Sequence, residues 1–443
     1  MAAEIQPAAT QNSMIHAPPP VPISALPPSA GEIKPLIGLP ALMRMAASGK
    51  GEDLAGLIER AAANANPAHM LMDLSMICQL LGDRNIGLEM QAKAIALQAL
   101  YRLPGAGGEV GIRLLVITCP GPMMDNTPVE FLLEESDVSL DLLYLGADLP
   151  LPPSLTSALP DHDLLFISVC QAEHNRALLD ELERLAASWP RPVLNAPDKI
   201  ARLSRDGVSV RLRSIPGLLM PCTARVDRLT LAQLSRGERT MNSIIEGGDF
   251  PVLIRPLDSH AGRDLLRLDG AEDLTAYLRT VTTDDFYLSR FVDYRDPDGQ
   301  YRKYRIVLIG GRAFACHMAI SAHWMVHYLN AGMAESAAKR AEEAAFMSGF
   351  DEGFARRHDA ALQAIAGRFE LDYLVVDCAE TQDGRLLVFE LDNSGFVHAL
   401  DPVDVFPYKQ TQMRKVFAAF RALLSAALER GRSNICLQND GPL

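Results

Sequence analysis

The sequence predicts a mixed α/β protein of several domains, and three observations carry that expectation. Residues 111–204 alternate short apolar runs with helical stretches, the pattern of a doubly wound parallel sheet. In the C-terminal half, β-rich runs flank turns at Gly310-Gly311 and at Gln382-Asp383-Gly384, which are hairpin signatures. Ahead of both, residues 36–105 place apolar side chains at three- and four-residue spacing, the period of a helix. At 443 residues the chain is too long for one core, so about two to four domains are expected.

Residues 1–35 are rich in Pro and Ala and read as a disordered tether. In 36–105, Leu71, Leu74, Ile77 and Leu81 share a helical face that Gly82-Asp83 interrupts, and Leu88, Ala92, Ile95 and Leu100 continue a second helix. This helix–turn–helix is similar to one tetratricopeptide-like unit, although no period of about 34 residues recurs. A helical cap, an oligomer contact or a groove for a protein partner are its expected roles. In 111–204, the runs 112–117, 140–145, 164–169 and 193–194 are expected strands and 178–187 a helix. The turn Cys119-Pro120-Gly121-Pro122 lacks the glycine fingerprint of dinucleotide sites. Gln171, Glu173, His174 and Asn175 follow a strand end where such sheets bind ligands, but a plain polar loop is the simpler reading.

Residues 251–256 form a short apolar strand carrying Arg255, which leads into Ser259, His260, Gly262 and Arg263. A strand followed by a Ser/Gly turn offers backbone N–H groups to phosphate, and the cation neutralises charge. A strand at 286–292 precedes another at 301–309, which opens on Arg302, Lys303 and Arg305. Helices are expected at 334–346, 351–368 and 410–430, the last with Met413, Phe417, Phe420, Leu424 and Leu428 as a packing stripe; 431–443 reads as a flexible tail. Between hairpin and helices, His317, His323, His327 and Trp324 crowd one segment. Zinc finds neither a Cys partner nor His-Glu-x-x-His spacing there. A substrate-facing role for His327, Tyr328 and Asn330 competes with histidines packed beside a tryptophan.

In the last hairpin, Asp377 ends one strand and Glu390 and Asp392 end the other. A hairpin sets such residues side by side, so acids remote in sequence can share a divalent cation; solvated acids on an exposed hairpin are the alternative. Hard cations such as Mg²⁺ take oxygen ligands and bridge carboxylates to phosphates.

Taken in order, strand, Arg255-Pro256, Ser259-His260-Ala261-Gly262, strand, basic hairpin, helices, Asp377 and Glu390-Leu391-Asp392, the chain resembles the ATP-grasp superfamily near its glutamate-ligase and D-alanine–D-alanine ligase branches. The resemblance spans roughly residues 111–430. The stretch from Arg302 to Met333 is similar to bacterial ATP-grasp proteins with a tetratricopeptide-like segment ahead of the core. The resemblance implies a Rossmann-like pre-ATP-grasp domain at 111–204, a small nucleotide-binding lobe at 205–285 and a catalytic lobe at 286–430. It implies an ATP- and Mg²⁺-dependent ligase, with one or two metal ions or Mn²⁺ in their place, that joins a carboxylate to an amine through an acyl phosphate. The implied roles put Arg255 on the nucleotide phosphates, Ser259, His260 and Gly262 in the phosphate-covering loop, and Arg290 near the adenine hinge. Arg305 would face the γ-phosphate with Lys303 beside it, and Asn330 would orient phosphate or substrate. Asp377, Glu390 and Asp392 would hold metal, and His327, Tyr328 and Asn393 would face the substrate.

There are departures from the family pattern. Arg255 replaces the usual lysine but keeps a permanent, forked charge. Asp392 replaces an asparagine, for which Asn393 next door can substitute. Lys303 and Arg290 stand where relatives carry acids. The same site would serve a phosphotransferase acting on a non-carboxylate acceptor, or a non-catalytic nucleotide-binding scaffold.

Composition narrows the field. A net charge of −13 and a pI near 5.3 argue against a nucleic-acid partner, which selects a basic face. The acceptor is expected to be a small molecule or peptide, and a homodimer is a common arrangement among relatives. The seven cysteines include no Cys-x-x-Cys pair, which argues against zinc or a disulfide framework and suits a reducing cytoplasm. No apolar run is long enough for a membrane helix, and the first residues lack the pattern of a signal peptide.

Overall fold

A computed structural model describes residues 34–47, 51–106, 110–146, 159–259 and 262–439. Most of the expected N-terminal tether and His260 of the expected phosphate loop lie outside the described residues. The mixed α/β class is that of the structure, which holds three sheets among the described residues.

Four helices come first, Leu39–Ala47, Gly51–Ala62, Pro67–Leu80 and Arg84–Leu97. Asn66 caps the third through the Ala68 N–H at 2.9 Å, with Pro67 at the first helical position. Leu42, Leu57, Ala61 and Ile77 form a small core between helices, while Leu71, Met72, Ala94 and Ile95 join the main one. The fourth helix stops at Leu97, earlier than its apolar spacing suggests, and Leu100–Leu103 is a strand, β1. Two side chains explain the switch. Tyr101 enters the core, and Arg102 reaches across the pair with a fork onto Asp141 at 2.7 and 3.0 Å. Asp141 sits in the middle of a buried strand and needs that cation.

β2 (Ile112–Thr118), β3 (Val138–Tyr144), β4 (Leu164–Ile167) and β5 (Val193–Leu194) run parallel, and with β1 they make a sheet of order β1-β3-β2-β4-β5. β3 and β4 are buried at every position, as sheets covered on both faces demand. Because β3 and β4 flank β2 on opposite sides, the chain leaves β2 and β4 in opposite directions. That creates a crevice at their C-terminal ends.

β6 (Leu218–Leu219) is followed by β7 (Thr223–Asp227), β8 (Val252–Pro256), β9 (Leu266–Leu268) and β10 (Asp285–Arg290). The last four form an antiparallel sheet of order β7-β10-β8-β9, packed through Val226, Ile254, Phe286 and Leu288 onto Leu231 and Leu274 of two helices. β11 (Tyr301–Ile309), β12 (Arg312–Ser321), β13 (Tyr373–Glu380) and β14 (Leu386–Asp392) form the third sheet, of order β12-β11-β13-β14-β6. On one face Tyr304 packs against Phe346 and Phe354, with ring centroids 4.8 Å apart in each case. Alternation along β11 therefore turns Lys303 and Arg305 to the other face.

Elements near the C-terminus differ from their expected bounds. β12 continues to Ser321, so His317 belongs to a strand. The stretch expected as one helix splits into a wide π turn at Asp351–Ala355 and a helix at Asp359–Phe369, where Phe354 inserts among Tyr304, Phe346 and His358. The last helix runs from Pro407 to Asn439, beyond the expected 430. Gly431 allows it to continue against Pro192, whose ring would lie 2.5 Å from any Cβ at that position. Among the described residues no helix is long and apolar enough to cross a membrane.

Candidate active site

The third sheet builds the site by register. Arg305 on β11 stands opposite Asp377 on β13, which stands opposite Glu390 on β14; on the other side Arg305 faces His317 on β12. Four residues from four strands thus form one row across a single face. Irregular pairing follows Arg305 and Asp377, and such bulges re-aim side chains next to sites.

Asp377 is only 4 % exposed. Arg305 forks onto it with Nε–Oδ1 at 2.8 Å and Nη2–Oδ2 at 3.0 Å, and Lys303 Nζ lies 2.8 Å from Oδ2. Burial pushes the pKa of Asp377 up, but the Arg305 and Lys303 charges outweigh it and hold the carboxyl well below its ordinary range. Glu390 pairs with Arg205. Burial and Asp377 push its pKa up, whereas Arg205 and Arg255 bring the net shift below the ordinary value. Asp392 moves the other way, raised by burial and by Glu390, and it accepts from the Ser394 N–H at 2.7 Å and hydroxyl at 2.8 Å.

Arg255, on β8 of the small sheet, is the fourth cation. It is 8 % exposed, donates through Nη2 to the Ser259 carbonyl, and keeps a buried Nε–H without a partner. Burial, then the nearby Arg205 charge, pushes its pKa down to about 9, against the opposing pull of Glu390. Arg205, Arg255, Lys303 and Arg305 therefore stand against Asp377, Glu390 and Asp392.

Arg205 was not visible in the sequence. It opens the helix Arg205–Leu212, which Ser204 caps, and nothing local marks that arginine as different from any other. His317 stood out only as one of a crowded group of histidines; its buried Nδ1 has no partner among the described residues, and its pKa is pushed far down, first by burial and then by Arg305 and Lys409.

The other expected site residues are placed as follows. Ser259 is buried, and its hydroxyl donates to the Arg263 carbonyl. Gly262 has φ +73° and faces Met325, whose sulfur would lie 3.6 Å from a Cβ. His327 is half-buried, its pKa lowered by burial and then by Lys303 and Arg305. Asn330 is exposed and accepts from the His327 N–H at 3.2 Å, so its amide closes a short turn. Arg290 is exposed at the end of β10, with no side-chain link to the row.

Two expected substrate contacts are otherwise engaged. The Tyr328 hydroxyl donates to Glu343 at 3.1 Å and accepts from Lys409. Glu343, fully buried, also accepts from the Met318 N–H at 3.0 Å and the Tyr408 hydroxyl at 2.6 Å. Tyr328 is thus a strut that stands its ring against His317, centroids 4.6 Å apart. Asn393 is fully buried, and its amide bonds the Val169 carbonyl at 2.9 Å and the Gln171 N–H at 3.3 Å. It clasps the third sheet to the parallel one, with both atoms of its amide engaged across that seam.

No three His, Cys, Asp or Glu residues converge as a ready-made cage among the described residues. The acids nevertheless fit Mg²⁺, which is commonly held by one or two carboxylates and completed by phosphate oxygens and water. Asp377 and Glu390, whose oxygens Arg305, Lys303 and Arg205 now hold, would supply carboxylates, and the Arg255 Nε–H, unpaired among the described residues, would supply a donor for phosphate.

No family model matches the chain, and no curated protein matches it. Solved structures similar to it include a D-alanine–D-alanine ligase from Bacillus anthracis complexed with ATP, at 12 % identity and TM-score 0.43, covering 73 % of this chain and 99 % of that one. A RimK-domain ATP-grasp protein from Sphaerobacter thermophilus has 17 % identity and TM-score 0.42, covering 71 % and 99 %. The VanG D-Ala:D-Ser ligase from Enterococcus faecalis has 11 % identity and TM-score 0.44, covering 71 % and 99 %.

Proposed function

We propose that the protein is an ATP- and Mg²⁺-dependent ligase that joins a carboxylate to an amine through an acyl phosphate, with an amino acid or peptide as substrate. The observation that carries this reading is the row Arg305–Asp377–Glu390, two adjacent carboxylates paired by Arg305, Lys303 and Arg205, with the buried Arg255 Nε–H left without a hydrogen-bond partner among the described residues. Asp377 and Glu390, with Asp392 beside them, are the residues that would hold Mg²⁺, which supplies charge neutralisation to the phosphates.

Arg255 and Arg205 would bind phosphate oxygens, and Arg305 and Lys303 would meet the γ-phosphoryl group as it moves. The acceptor carboxylate takes that group, the bond to ADP breaks, and an acyl phosphate forms. The amine nitrogen then attacks the acyl carbon, phosphate leaves with the C–O electron pair, and the nitrogen gives up its proton. No protein nucleophile is required, because positioning and charge stabilisation carry such transfers.

Hydroxylamine intercepts acyl phosphates as hydroxamates, so the test is to supply Mg-ATP, hydroxylamine and each common amino acid in turn. Hydroxamate with at least one of them, absent in Asp377→Asn, is the expected result. ADP release with a phosphorylated acceptor and no hydroxamate would select a phosphotransferase instead. Nucleotide binding without turnover would select a scaffold.

A further inference from the structure

The loop that follows β4 touches both lobes of the molecule. Asn393 holds its start, at Val169 and Gln171. Further along, Glu173 pairs with Arg225 of β7 at 2.9 Å, and its N–H donates to Asp258 Oδ1 at 3.0 Å. His174 stands between two carboxylates, with Nε2 2.9 Å from Asp125 Oδ2 and Nδ1 3.3 Å from Asp258 Oδ2. Asp125 is 4 % exposed and comes from the loop after β2, so His174 spans the crevice where β2 and β4 end.

Asp258 lies two residues beyond β8 with φ +53°, in the left-handed region. A non-glycine residue rests there at a cost of about 1 kcal/mol or more and stays only when its surroundings hold it. Both of its carboxylate oxygens are held, one by the Glu173 N–H and the other by His174. The next residue is Ser259, whose carbonyl accepts from the Arg255 guanidinium. The contacts therefore run without a break from Asp125 through His174 and Asp258 to Ser259 and Arg255.

We propose that His174 is a positioning residue for Arg255: by fixing Asp258 in its left-handed conformation it aims the Ser259 carbonyl, and through it the guanidinium, at the nucleotide phosphates. The proposal rests on the reading of Arg255 as a phosphate-binding cation. A neutral imidazole has one N–H and would leave one carboxylate facing a lone pair, whereas the imidazolium donates to both. The two aspartates favour that form, Asp125 first and Asp258 second. The α/β domain thus reaches Asp258 through its crevice loop, by the Glu173 N–H and the His174 ring.

The test is calorimetric binding of Mg-ATP and, separately, of adenosine to the full chain, its His174→Gln and Arg255→Met variants, and the double variant. His174→Gln is expected to weaken Mg-ATP about tenfold, to leave adenosine unchanged, and to add nothing once Arg255 is gone. Asp258→Asn, which retains an acceptor for the Glu173 N–H, is expected to show the same selective loss. Unchanged Mg-ATP affinity in both His174→Gln and Asp258→Asn would overturn the proposal. So would equal losses for ATP and adenosine, or full additivity with Arg255→Met. A wild type that binds neither ligand would remove the nucleotide-site reading itself, and this proposal with it.

Discussion

At the scale of single residues, the site is a set of ion pairs that differ in how deeply they are buried. Asp377 is nearly inaccessible and holds two cations, whereas Glu390 and its partner Arg205 are partly exposed. Removing one partner of a buried pair leaves uncompensated charge, at a cost of about 3–5 kcal/mol, while a more accessible pair contributes less. Asp377→Asn should therefore destabilise the fold by about 3 kcal/mol or more in denaturant titrations, and Glu390→Gln by about 1 kcal/mol or less. Equal losses would show that the row is not buried as described. Tyr328→Phe removes a hydroxyl from the Glu343–Lys409 network and should cost about 1–3 kcal/mol in the same titrations, with Mg-ATP affinity unchanged. The acids were legible because one hairpin pairs them, although β13 runs on to Glu380 and so places Asp377 inside the strand and not at its expected end. Arg205 was not, since its place beside Glu390 depends on helix docking across 185 residues, and the place of His317 in the row depends on a bulged register that its local sequence does not mark. The engaged states of Asn393 and Tyr328 were hidden for the same reason: their partners Val169 and Lys409 lie far away in the chain.

At the scale of elements, apolar runs bounded by turns marked the strands of the parallel sheet and both C-terminal hairpins. β1 escaped because Leu100 continues a helical spacing; what makes it a strand is Asp141, a residue of another element. The N-terminal segment supplies a pH test. Its backbone is tied to two carboxylates, the Ile37 N–H to Asp73 at 3.1 Å and the Leu39 N–H to Glu130 at 2.6 Å. Both acids line a cavity of about 70 Å³ beneath that segment, and burial raises each pKa to about 7. Unfolded, they would titrate near 4. Between about pH 4 and pH 7 the native protein therefore holds protons that the unfolded chain has released, so stability falls as pH rises through that window and levels off above it. Asp73→Asn should flatten the melting-temperature profile between pH 4 and 7 and narrow the gap at pH 8. A profile parallel to the wild type would show that Asp73 titrates normally.

At the scale of the whole molecule, the architecture places a parallel domain against two lobes and lets single side chains make the seams. Asn393 joins the third sheet to the first, and Asn195 does so again, its amide donating to the Tyr373 carbonyl at 3.1 Å and accepting from the Tyr373 N–H at 2.9 Å. Each seam satisfies buried backbone groups that would otherwise be orphaned, at about 1–3 kcal/mol apiece. Asn195→Ala should accordingly lower the unfolding midpoint while leaving ligand affinity intact. The mixed α/β class was legible from composition and period, but seams were not, because a buried asparagine looks like any loop asparagine until its partners are known. The central claim is that the row on the third sheet is a metal–nucleotide site. Calorimetric titration of Mg-ATP into the wild type and into Glu390→Gln tests it most directly. Micromolar binding that needs Mg²⁺ and weakens at least tenfold in the variant is the predicted result. No binding to a folded wild type, or binding indifferent to both Mg²⁺ and Glu390, would contradict it.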